Sequence, residues 1–465
     1  MAIQSVNPAT GEVAETFAPT SPAEVERALS GAHAAFLEWR GVPIAERAAS
    51  MRSAARGLRA RKDEFARTMT VEMGKPIVQG EAEVEKCAWT CDYYAEHAAA
   101  MLASDPRETD ALRSYIRYDP LGVVLAIMPW NFPFWQVFRF AAPALMAGNG
   151  AILKHASNVS RCALQIEEVF RQAGFPRHLF RTVLLESAAV SPLIADRRIS
   201  AVTLTGSDGV GSKVAEQAGR ELKKTVLELG GSDPFIVLAD ADLAVTARGA
   251  ADARLVNGGQ SCIAAKRFIV VEAVADRFLD LFKKELAARR MGDPLLRETQ
   301  VGPQAKHDLR DALHRQVVES KKRGARVLLG GEIPAGPGAF YPPTLLSAVD
   351  KGMPAFDEET FGPVAAVIRA KDGMDAVHLA NESSFGLGAS IWSRDLAAAE
   401  RLAAQVEAGA VFVNGMVKSD ARLPFGGVKR SGYGRELSEF GIREFVNIKS
   451  VWVAAMGTAE SSGSE

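Results

Sequence analysis

A cysteine in a glycine-containing loop is the first residue of this chain that could carry out covalent chemistry. Cys262 lies in the segment NGGQSCIAAKRF, where Gly258 and Gly259 allow the backbone to bend sharply and to approach a ligand closely. A cysteine on such a loop can act as a nucleophile, although most buried cysteines are inert packing residues. The segment alone leaves both interpretations open and favours the inert cysteine.

A carboxylate and an amide could complete a catalytic site around such a nucleophile. Glu228 lies in the apolar strand pattern TVLELGGSDP, where burial would raise its pKa towards that of a general base. The alternative is a glutamate at a strand end that faces solvent. Asn131 lies between two prolines in IMPWNFPFW, after a strand whose carboxyl end is a typical ligand position. Its amide could stabilise an oxyanion or merely satisfy a turn.

Glycines and charged residues after predicted strands could hold a phosphate-containing cofactor. Gly206 and Ser207 end the strand AVTLTG and precede a helix that contains Gly211, an arrangement that favours pyrophosphate binding. The spacing differs from the usual G-x-G-x-x-G motif, so this pattern is nonspecific by itself. Lys154 ends the strand AILK, and Glu359 precedes a Phe-Gly-Pro turn. Each could contact a cofactor or be a solvated surface charge.

Strand patterns alternate with helical patterns along most of the chain, which is typical of α/β proteins with parallel sheets. A first series contains strands at 121–128, 150–155, 201–206, 225–230 and 234–240, with helices at 133–147, 159–173 and 210–219. A second series contains strands at 267–272, 325–330, 363–370 and 410–414, with helices at 242–256, 274–290, 305–323, 372–381 and 395–407. The first 110 residues are predicted to be mostly helical and to pack on the first sheet.

Composition excludes several classes of protein. The chain has 465 residues, 48% of them hydrophobic, which predicts more than one core. With 55 basic and 56 acidic residues, it has no charge excess that would favour nucleic acid or an anionic membrane. No apolar run approaches the ~18 residues of a membrane span, and no targeting segment is evident, so a cytoplasmic protein is expected. Cys87, Cys91 and Cys162 lie in helical patterns as core residues, and no metal site is predicted.

In combination, these segments are far more specific than any one of them. The order PWNFP, LK, TGS, LELGG, GQ-x-C, EETFGP and PFGG-x-K-x-SG-x-GRE resembles the aldehyde dehydrogenase superfamily over nearly the whole chain. The resemblance implies two Rossmann-like α/β domains, one that binds NAD or NADP and one that is catalytic, with a small β oligomerisation arm. It also implies a homodimer or homotetramer that acts on a small aldehyde.

Domain boundaries follow from the same resemblance. The implied division is an NAD(P)-binding domain at 1–112 and 119–229, a catalytic domain at 230–440, an oligomerisation arm at 113–118 and 441–456, and a flexible tail at 457–465.

The resemblance also implies a role for each candidate residue. Cys262 would be the nucleophile, Glu228 the general base that hydrolyses a thioester, and Asn131 part of the oxyanion hole together with the Cys262 backbone N–H. Relatives that pass the acyl group to coenzyme A generally lack the glutamate, so Glu228 favours hydrolysis. Cofactor contacts are implied for Trp130, Lys154, Ser157, Gly206, Ser207, Gly211, Leu229, Glu359 and Phe361. Because NAD-preferring relatives often have glutamate in place of Ser157, both NAD and NADP are expected to bind.

Three further residues bear on the choice of aldehyde. Arg139 lies eight residues after Asn131 on a predicted helix, so it could line the path to Cys262 and bind a distal carboxylate. The alternative is an arginine paired with a nearby acid. Arg139 and Ser419 match pocket residues of succinate-semialdehyde dehydrogenases, and Trp135 follows the same side of the helix.

The whole chain resembles the shorter bacterial succinate-semialdehyde dehydrogenases, so oxidation of succinate semialdehyde to succinate is expected. Alternatives are a dehydrogenase of glutarate semialdehyde or of an aliphatic aldehyde, and a non-catalytic structural protein on the same scaffold. Val256 stands where some of these enzymes have a second arginine. Ala264 stands where some have a second cysteine, so no redox switch is predicted.

Overall fold

The computed structural model describes residues 2–456, so the tail predicted at 457–465 lies outside the described residues. The first part of the chain is mostly helical, as predicted, but it also contains a hairpin that the sequence analysis missed. A capping box in which Ser21 accepts from the Glu24 N–H, with Pro22 next to it, starts the first long helix. The elements are β1 (Ile3–Val6), β2 (Val13–Phe17), α1 (Pro22–Trp39), α2 (Ile44–Ala60), α3 (Lys62–Met73), α4 (Ile77–Met101), β3 (Asp105–Arg107) and β4 (Arg113–Pro120).

The first parallel sheet forms from buried apolar strands with helices on its faces. Its strands run in the order β9-β8-β5-β6-β7, all parallel, and helices α2 to α4 share one hydrophobic core with it, as predicted. The elements are β5 (Val123–Met128), α5 (Trp135–Met146), β6 (Gly150–His155), α6 (Ser160–Gln172), β7 (Phe180–Thr182), α7 (Ser191–Ala195), β8 (Ile199–Thr205), α8 (Asp208–Arg220) and β9 (Lys224–Glu228).

The second sheet has seven strands in the order β12-β13-β14-β11-β10-β16-β17, and only the β12–β13 pair is antiparallel. Asp242, Asp372 and Asp395 each cap the N-terminus of a helix that covers this sheet. The elements are β10 (Pro234–Val237), α9 (Leu243–Leu255), β11 (Arg267–Val271), α10 (Ala275–Ala287), α11 (His307–Lys322), β12 (Arg326–Leu329), β13 (Thr344–Ser347), α12 (Pro354–Asp357), β14 (Val364–Ala370), α13 (Gly373–Asn381), β15 (Phe385–Gly386), β16 (Gly388–Trp392), α14 (Leu396–Ala403) and β17 (Ala410–Val413). The predicted fold class, with two parallel α/β sheets, is confirmed.

The C-terminal segment returns to the first sheet and then forms a third, antiparallel sheet. Its elements are β18 (Val428–Lys429), β19 (Gly432–Tyr433), α15 (Ser438–Arg443) and β20 (Val446–Val453). Strand β19 pairs with β9, so this part of the predicted catalytic domain belongs to the first sheet. Strand β20 pairs with β4 over its full length, and β3 adds a third strand.

The strands of the third sheet differ slightly in their bounds from the segments predicted for the arm. The first strand of the arm runs on to Pro120, beyond residue 118, because hydrogen bonding with β20 continues there. Residues 441–443 are the end of a helix and not part of the arm strand. Among residues 2–456, no helix has the length and apolar character needed to cross a membrane.

Candidate active site

The loop before Cys262 is bent in the way that its glycines predicted. Asn257, Gly258 and Gly259 all have positive φ angles, of 54°, 62° and 78°. A side chain at Gly259 would collide with the carbonyl oxygen of Gly362, so the close approach of these two loops requires glycine. This bend turns the chain after α9 and places Cys262 at a cavity between the two sheets.

A buried lysine holds the loop in place. Lys266, which is fully buried, donates from Nζ to the carbonyl oxygens of Ser261 (3.0 Å), Cys262 (2.7 Å) and Ala264 (3.2 Å). Its Nζ also lies 3.5 Å from Oε1 of Glu359. Burial lowers the pKa of Lys266, and the Glu359 carboxylate opposes that shift. The carbonyl groups around the nucleophile are therefore fixed by one cation.

Asn131 is tied to the same loop by side-chain amides. Its Nδ2 donates to the carbonyl oxygen of Gln260 at 3.1 Å, which leaves the second amide hydrogen for another acceptor. The Asn257 amide donates both to the carbonyl oxygen of Asn131 (2.7 Å) and to that of Gln260 (3.2 Å). The Glu83 carboxylate accepts the first N–H groups of α5 at 2.9 Å and so anchors the turn after Asn131 from the other side. Asn131 is thus held rigidly beside the nucleophile loop.

Glu228 ends strand β9 as an unpaired buried carboxylate. It is only 2% exposed, and neither side-chain oxygen has a hydrogen-bond partner. Burial raises its pKa well above the usual range; Arg139 opposes this shift and the neighbouring Glu436 adds to it. A buried acid without a partner is costly for folding, which is expected of a functional group rather than of a strand-end surface residue.

The Cys262 thiol is neutral before substrate arrives. The surrounding protein raises the pKa of Cys262 to about 12, although the positive charges of Arg139 and Lys266 lower it in part. A cysteine can become a nucleophile because the protein lowers its pKa, or because a base takes its proton as it attacks. The raised pKa of Cys262 excludes the first of these. The other route, proton transfer to a base at the attack step, fits a buried glutamate with a raised pKa.

The carboxyl ends of β6 and β8 carry the residues predicted to bind the cofactor. Lys154 is largely buried and has no acidic partner among residues 2–456, and burial lowers its pKa. Ser157 follows as an exposed residue at the start of a single 3-10 turn. Gly206 donates its N–H to the carbonyl oxygen of Glu228 at 3.0 Å, and Ser207 precedes α8 without capping it through its side chain. A cation without an acidic partner at the end of β6 and an uncapped helix N-terminus after β8 are features that suit the phosphates of a dinucleotide.

The remaining predicted cofactor residues make close local contacts. A Cβ atom at Gly211 would lie 2.5 Å from Cδ2 of Leu229, so glycine there allows α8 to pack closely on the chain after β9. The rings of Trp130 and Phe361 meet edge to face with centroids 5.8 Å apart. Glu359 accepts the Gly231 N–H at 3.0 Å. These contacts bring together Gly211 with Leu229 and Trp130 with Phe361, and their role in holding a dinucleotide stays a prediction.

The predicted substrate residues line a cavity of about 120 Å³ that contains Cys262. Trp135, Arg139 and Ser419 all lie in its wall. Arg139 also forms an ion pair with Glu436. The alternative interpretation from the sequence, an arginine paired with a nearby acid, therefore also describes this residue. Its guanidinium carbon lies 4.6 Å from the centre of the Phe425 ring. Arg139 therefore reaches the substrate cavity with much of its charge already compensated.

Comparison with known proteins places this geometry in a family. The model of the aldehyde dehydrogenase family matches residues 1–451. The chain belongs to the aldehyde dehydrogenase family. It is 52% identical to a probable NADP(+) succinate-semialdehyde dehydrogenase of Synechocystis sp., covering 98% of this chain and 100% of that one. It is also 52% identical to the NAD(P)+ succinate semialdehyde dehydrogenase Sad of Escherichia coli, covering 96% and 97%. The crystal structure of succinic semialdehyde dehydrogenase from Streptococcus pyogenes with NADP+ matches with a TM-score of 0.95 at 39% identity, covering 98% and 100%.

Sequence reasoning missed several residues that shape this aldehyde dehydrogenase site. Asn257 is the one with a readable signal, because asparagine before two glycines often adopts a positive φ angle. Lys266 and Glu436 lie in quoted motifs, but nothing in their spacing shows that they reach a backbone loop or Arg139. Lys86, which lines the same cavity as Cys262, comes from helix α4 and has no sequence signal at all.

Proposed function

We propose that this chain oxidises succinate semialdehyde to succinate, with NAD or NADP as the oxidant, through covalent attachment of the substrate to Cys262. The observation that carries the proposal is the combination of Cys262, whose thiol pKa is raised to about 12, and Glu228, a buried carboxylate whose side-chain oxygens have no hydrogen-bond partner. Both groups interact electrostatically with Arg139 in the wall of the substrate cavity. The names of the relatives in Synechocystis and E. coli support the choice of substrate. The experiment that tests it is a panel of kcat/KM values for short aldehydes with each nicotinamide cofactor.

The first step joins the cysteine to the substrate. As the Cys262 sulfur attacks the aldehyde carbon, its proton must leave, and Glu228 is the buried base whose raised pKa suits that transfer. The carbonyl oxygen becomes an oxyanion. The free amide hydrogen of Asn131 and the backbone N–H of Cys262 would stabilise it, because their positions are fixed before the charge develops.

The second step turns the tetrahedral adduct into a thioester on Cys262. The nicotinamide of the cofactor, when bound, supplies the acceptor for the hydride that leaves the substrate carbon. Lys154, Ser157, Gly206 and Ser207 would hold the adenosine and pyrophosphate part, and Glu359 the nicotinamide ribose. The Asn131 amide and the Cys262 backbone N–H would keep the substrate oxygen oriented as its double bond to carbon forms again.

The third step releases the acid. After the proton that it took from the thiol has passed to solvent, Glu228 takes a proton from a water molecule, and the resulting hydroxide attacks the thioester carbon. The Cys262 thiolate leaves and is protonated again. A deprotonated carboxylate is required at this step, so hydrolysis becomes faster as the pH rises through the raised pKa of Glu228.

Substrate selection would depend on the small cavity and its cations. A volume of about 120 Å³ suits an aldehyde of a few carbons. Arg139 and Ser419 in the cavity wall favour a distal carboxylate, which distinguishes succinate semialdehyde from butanal. Glutarate semialdehyde, which is one carbon longer, and neutral aliphatic aldehydes are the alternative substrates, and a non-catalytic structural role is the alternative from another class.

The Arg139→Leu variant tests the carboxylate. We expect the ratio of kcat/KM for succinate semialdehyde to that for butanal to fall about 10- to 100-fold, the equivalent of one or two charged hydrogen bonds. The ratio is the informative quantity, since Arg139 also lowers the pKa of Glu228 and its loss will slow both reactions. Arg59→Leu, which breaks only surface ion pairs on α2, is the matched control. Equal losses with both aldehydes would contradict this role of Arg139.

The Ser157→Glu variant tests the cofactor cleft. A carboxylate beside the adenosine ribose would repel a 2′-phosphate, so we expect the KM for NADP to rise about tenfold or more while that for NAD changes little. Ser187→Glu, on another exposed serine that begins a single 3-10 turn, is the control. A parallel change in both cofactor KM values would show that Ser157 does not lie near the 2′ position.

We also propose a cytoplasmic homodimer or homotetramer. All four cysteines are free, which suits a reducing compartment. Strand β20 leaves one edge of the third sheet open, and Ile448 (62%) and Trp452 (56%) are largely exposed on it. An exposed edge with large apolar side chains is a typical site for association with a second subunit. The predicted domain boundaries likewise remain part of the proposal.

A further inference from the structure

We propose that Lys86 of helix α4 is a second cationic partner of the substrate's distal carboxylate, beside Arg139. This inference rests on the proposed function and adds a specificity residue to it. Lys86 lines the same cavity as Cys262, Arg139 and Ser419, although it lies about 50 residues before the nearest of them in sequence. Its role would be to bind the substrate and not to take part in bond making or breaking.

The immediate neighbours of Lys86 hold its ammonium group over the cavity without neutralising it. Nζ donates to the Ser419 hydroxyl oxygen at 2.7 Å and lies 4.1 Å from the centre of the Trp135 ring. An ammonium group has three hydrogens, and the hydroxyl uses one of them. Lys86 forms no ion pair with any acid in the part of the chain that the structure describes. A partly buried cation whose direct contacts are neutral is costly unless an anion binds to it.

Arg139 is less available to bind the substrate carboxylate, because its positive charge is partly compensated by acidic groups of the protein. Its guanidinium pairs with Glu436, and the buried Glu228 carboxylate also interacts with it. A substrate carboxylate placed there would meet two acidic groups as well as one cation. Beside Lys86 and Ser419, the same carboxylate would gain an ammonium donor and a hydroxyl donor with no competing acid in hydrogen-bonding contact.

The position of Lys86 relative to the nucleophile also suits a distal group. The Cys262 cavity adjoins a second, more open cavity of about 480 Å³, and the two share five lining residues, which are Lys86, Phe132, Trp135, Val256 and Met416. Lys86 therefore lies at the passage between the outer cavity and the reaction centre. An aldehyde that enters with its carbonyl group towards Cys262 would leave its far end at this passage.

The test compares the Lys86→Met and Lys86→Gln variants with the parent enzyme. Substrates are succinate semialdehyde and butanal, which have equal chain lengths but differ in the carboxylate. We expect both variants to raise the KM for succinate semialdehyde about tenfold or more, with kcat and the butanal reaction nearly unchanged. Lys86→Arg keeps the charge and should recover much of the preference. Lys283→Met, at an exposed lysine of α10, is the control for loss of one surface charge.

Two results would overturn the inference, and they are distinguishable. If the parent enzyme does not prefer succinate semialdehyde over butanal, the proposed substrate is wrong and the role of Lys86 fails with it. If the parent has the preference and both Lys86 variants keep it, or if they slow both aldehydes equally, only the role of Lys86 fails.

A pH profile gives an independent measurement. Burial and the nearby Arg139 charge lower the pKa of Lys86 to about 8. The ratio of kcat/KM for succinate semialdehyde to that for butanal should therefore fall as the pH rises past about 8 in the parent, and should be flat in Lys86→Met. Butanal corrects for groups that act on both substrates. The charged and titratable groups around Lys86 are Glu83 and Cys87 on its own helix, Arg139 on α5, and Lys418 and Asp420 beside Ser419.

Discussion

The Cys262→Ala variant is expected to lose oxidation of every aldehyde, by about 10⁴-fold or more in kcat/KM, since no covalent adduct can form. Cys262 is the only one of the four cysteines that lines the substrate cavity, and the other three are buried in the core. Reduction of the nicotinamide at 340 nm measures the loss directly. Binding of NADP should remain, and quenching of the tryptophan fluorescence of the protein on titration with NADP can follow it.

The matched control for this variant is Cys91→Ala. Cys91 is fully buried on helix α4, and burial, with a further contribution from Asp92, raises its pKa far above the range in which a thiol reacts. Its loss should lower the melting temperature slightly and leave the specific activity of the folded protein unchanged. A parental turnover rate in Cys262→Ala, with folding and cofactor binding intact, would refute the covalent mechanism.

Strands with continuous apolar runs could be predicted from sequence, because burial on both faces leaves a clear pattern. The predicted strand 150–155 has the bounds of β6, and the helix predicted at 372–381 differs from α13 by one residue. Strand β13 (Thr344–Ser347) and strand β16 (Gly388–Trp392) were missed. Each is short, and β16 begins with glycine and small residues that carry little strand preference.

Site residues could be predicted where the neighbouring sequence carries a signal. They could not be predicted where their role depends on contact with a residue far away in the sequence. Glycines before Cys262 and the apolar strand around Glu228 leave local signals, and the structure gives both residues the expected surroundings. The pairing of Arg139 with Glu436 joins residues about 300 positions apart, and no spacing rule detects it. The same holds for Lys86, which reaches Ser419 across 333 positions. Such contacts follow from tertiary packing and need coordinates.

The Glu228→Gln variant is expected to stop the reaction after the thioester forms. An amide cannot accept a proton from water, so steady-state turnover should fall about 10²- to 10⁴-fold, the usual contribution of a general base. Reduced nicotinamide should appear first as a burst of about one equivalent per active site, followed by a slow phase. Mass spectrometry of the quenched protein should find the acyl group on Cys262. Because Glu228 also takes the thiol proton in the proposed first step, the burst itself should be slower than in the parent.

The pH dependence of this variant separates a chemical role from a structural one. In the parent, turnover should fall as the pH decreases through the raised pKa of Glu228, because the protonated acid cannot activate water. In Glu228→Gln that limb should be absent, since no group titrates at this position. Glu167→Gln is the control: burial also raises the pKa of Glu167, but its carboxylate accepts the Thr182 N–H at 2.6 Å, and its cationic neighbours are Arg181 and Arg171 rather than Arg139. Parental turnover in Glu228→Gln, or an unchanged acid limb, would assign water activation to another residue.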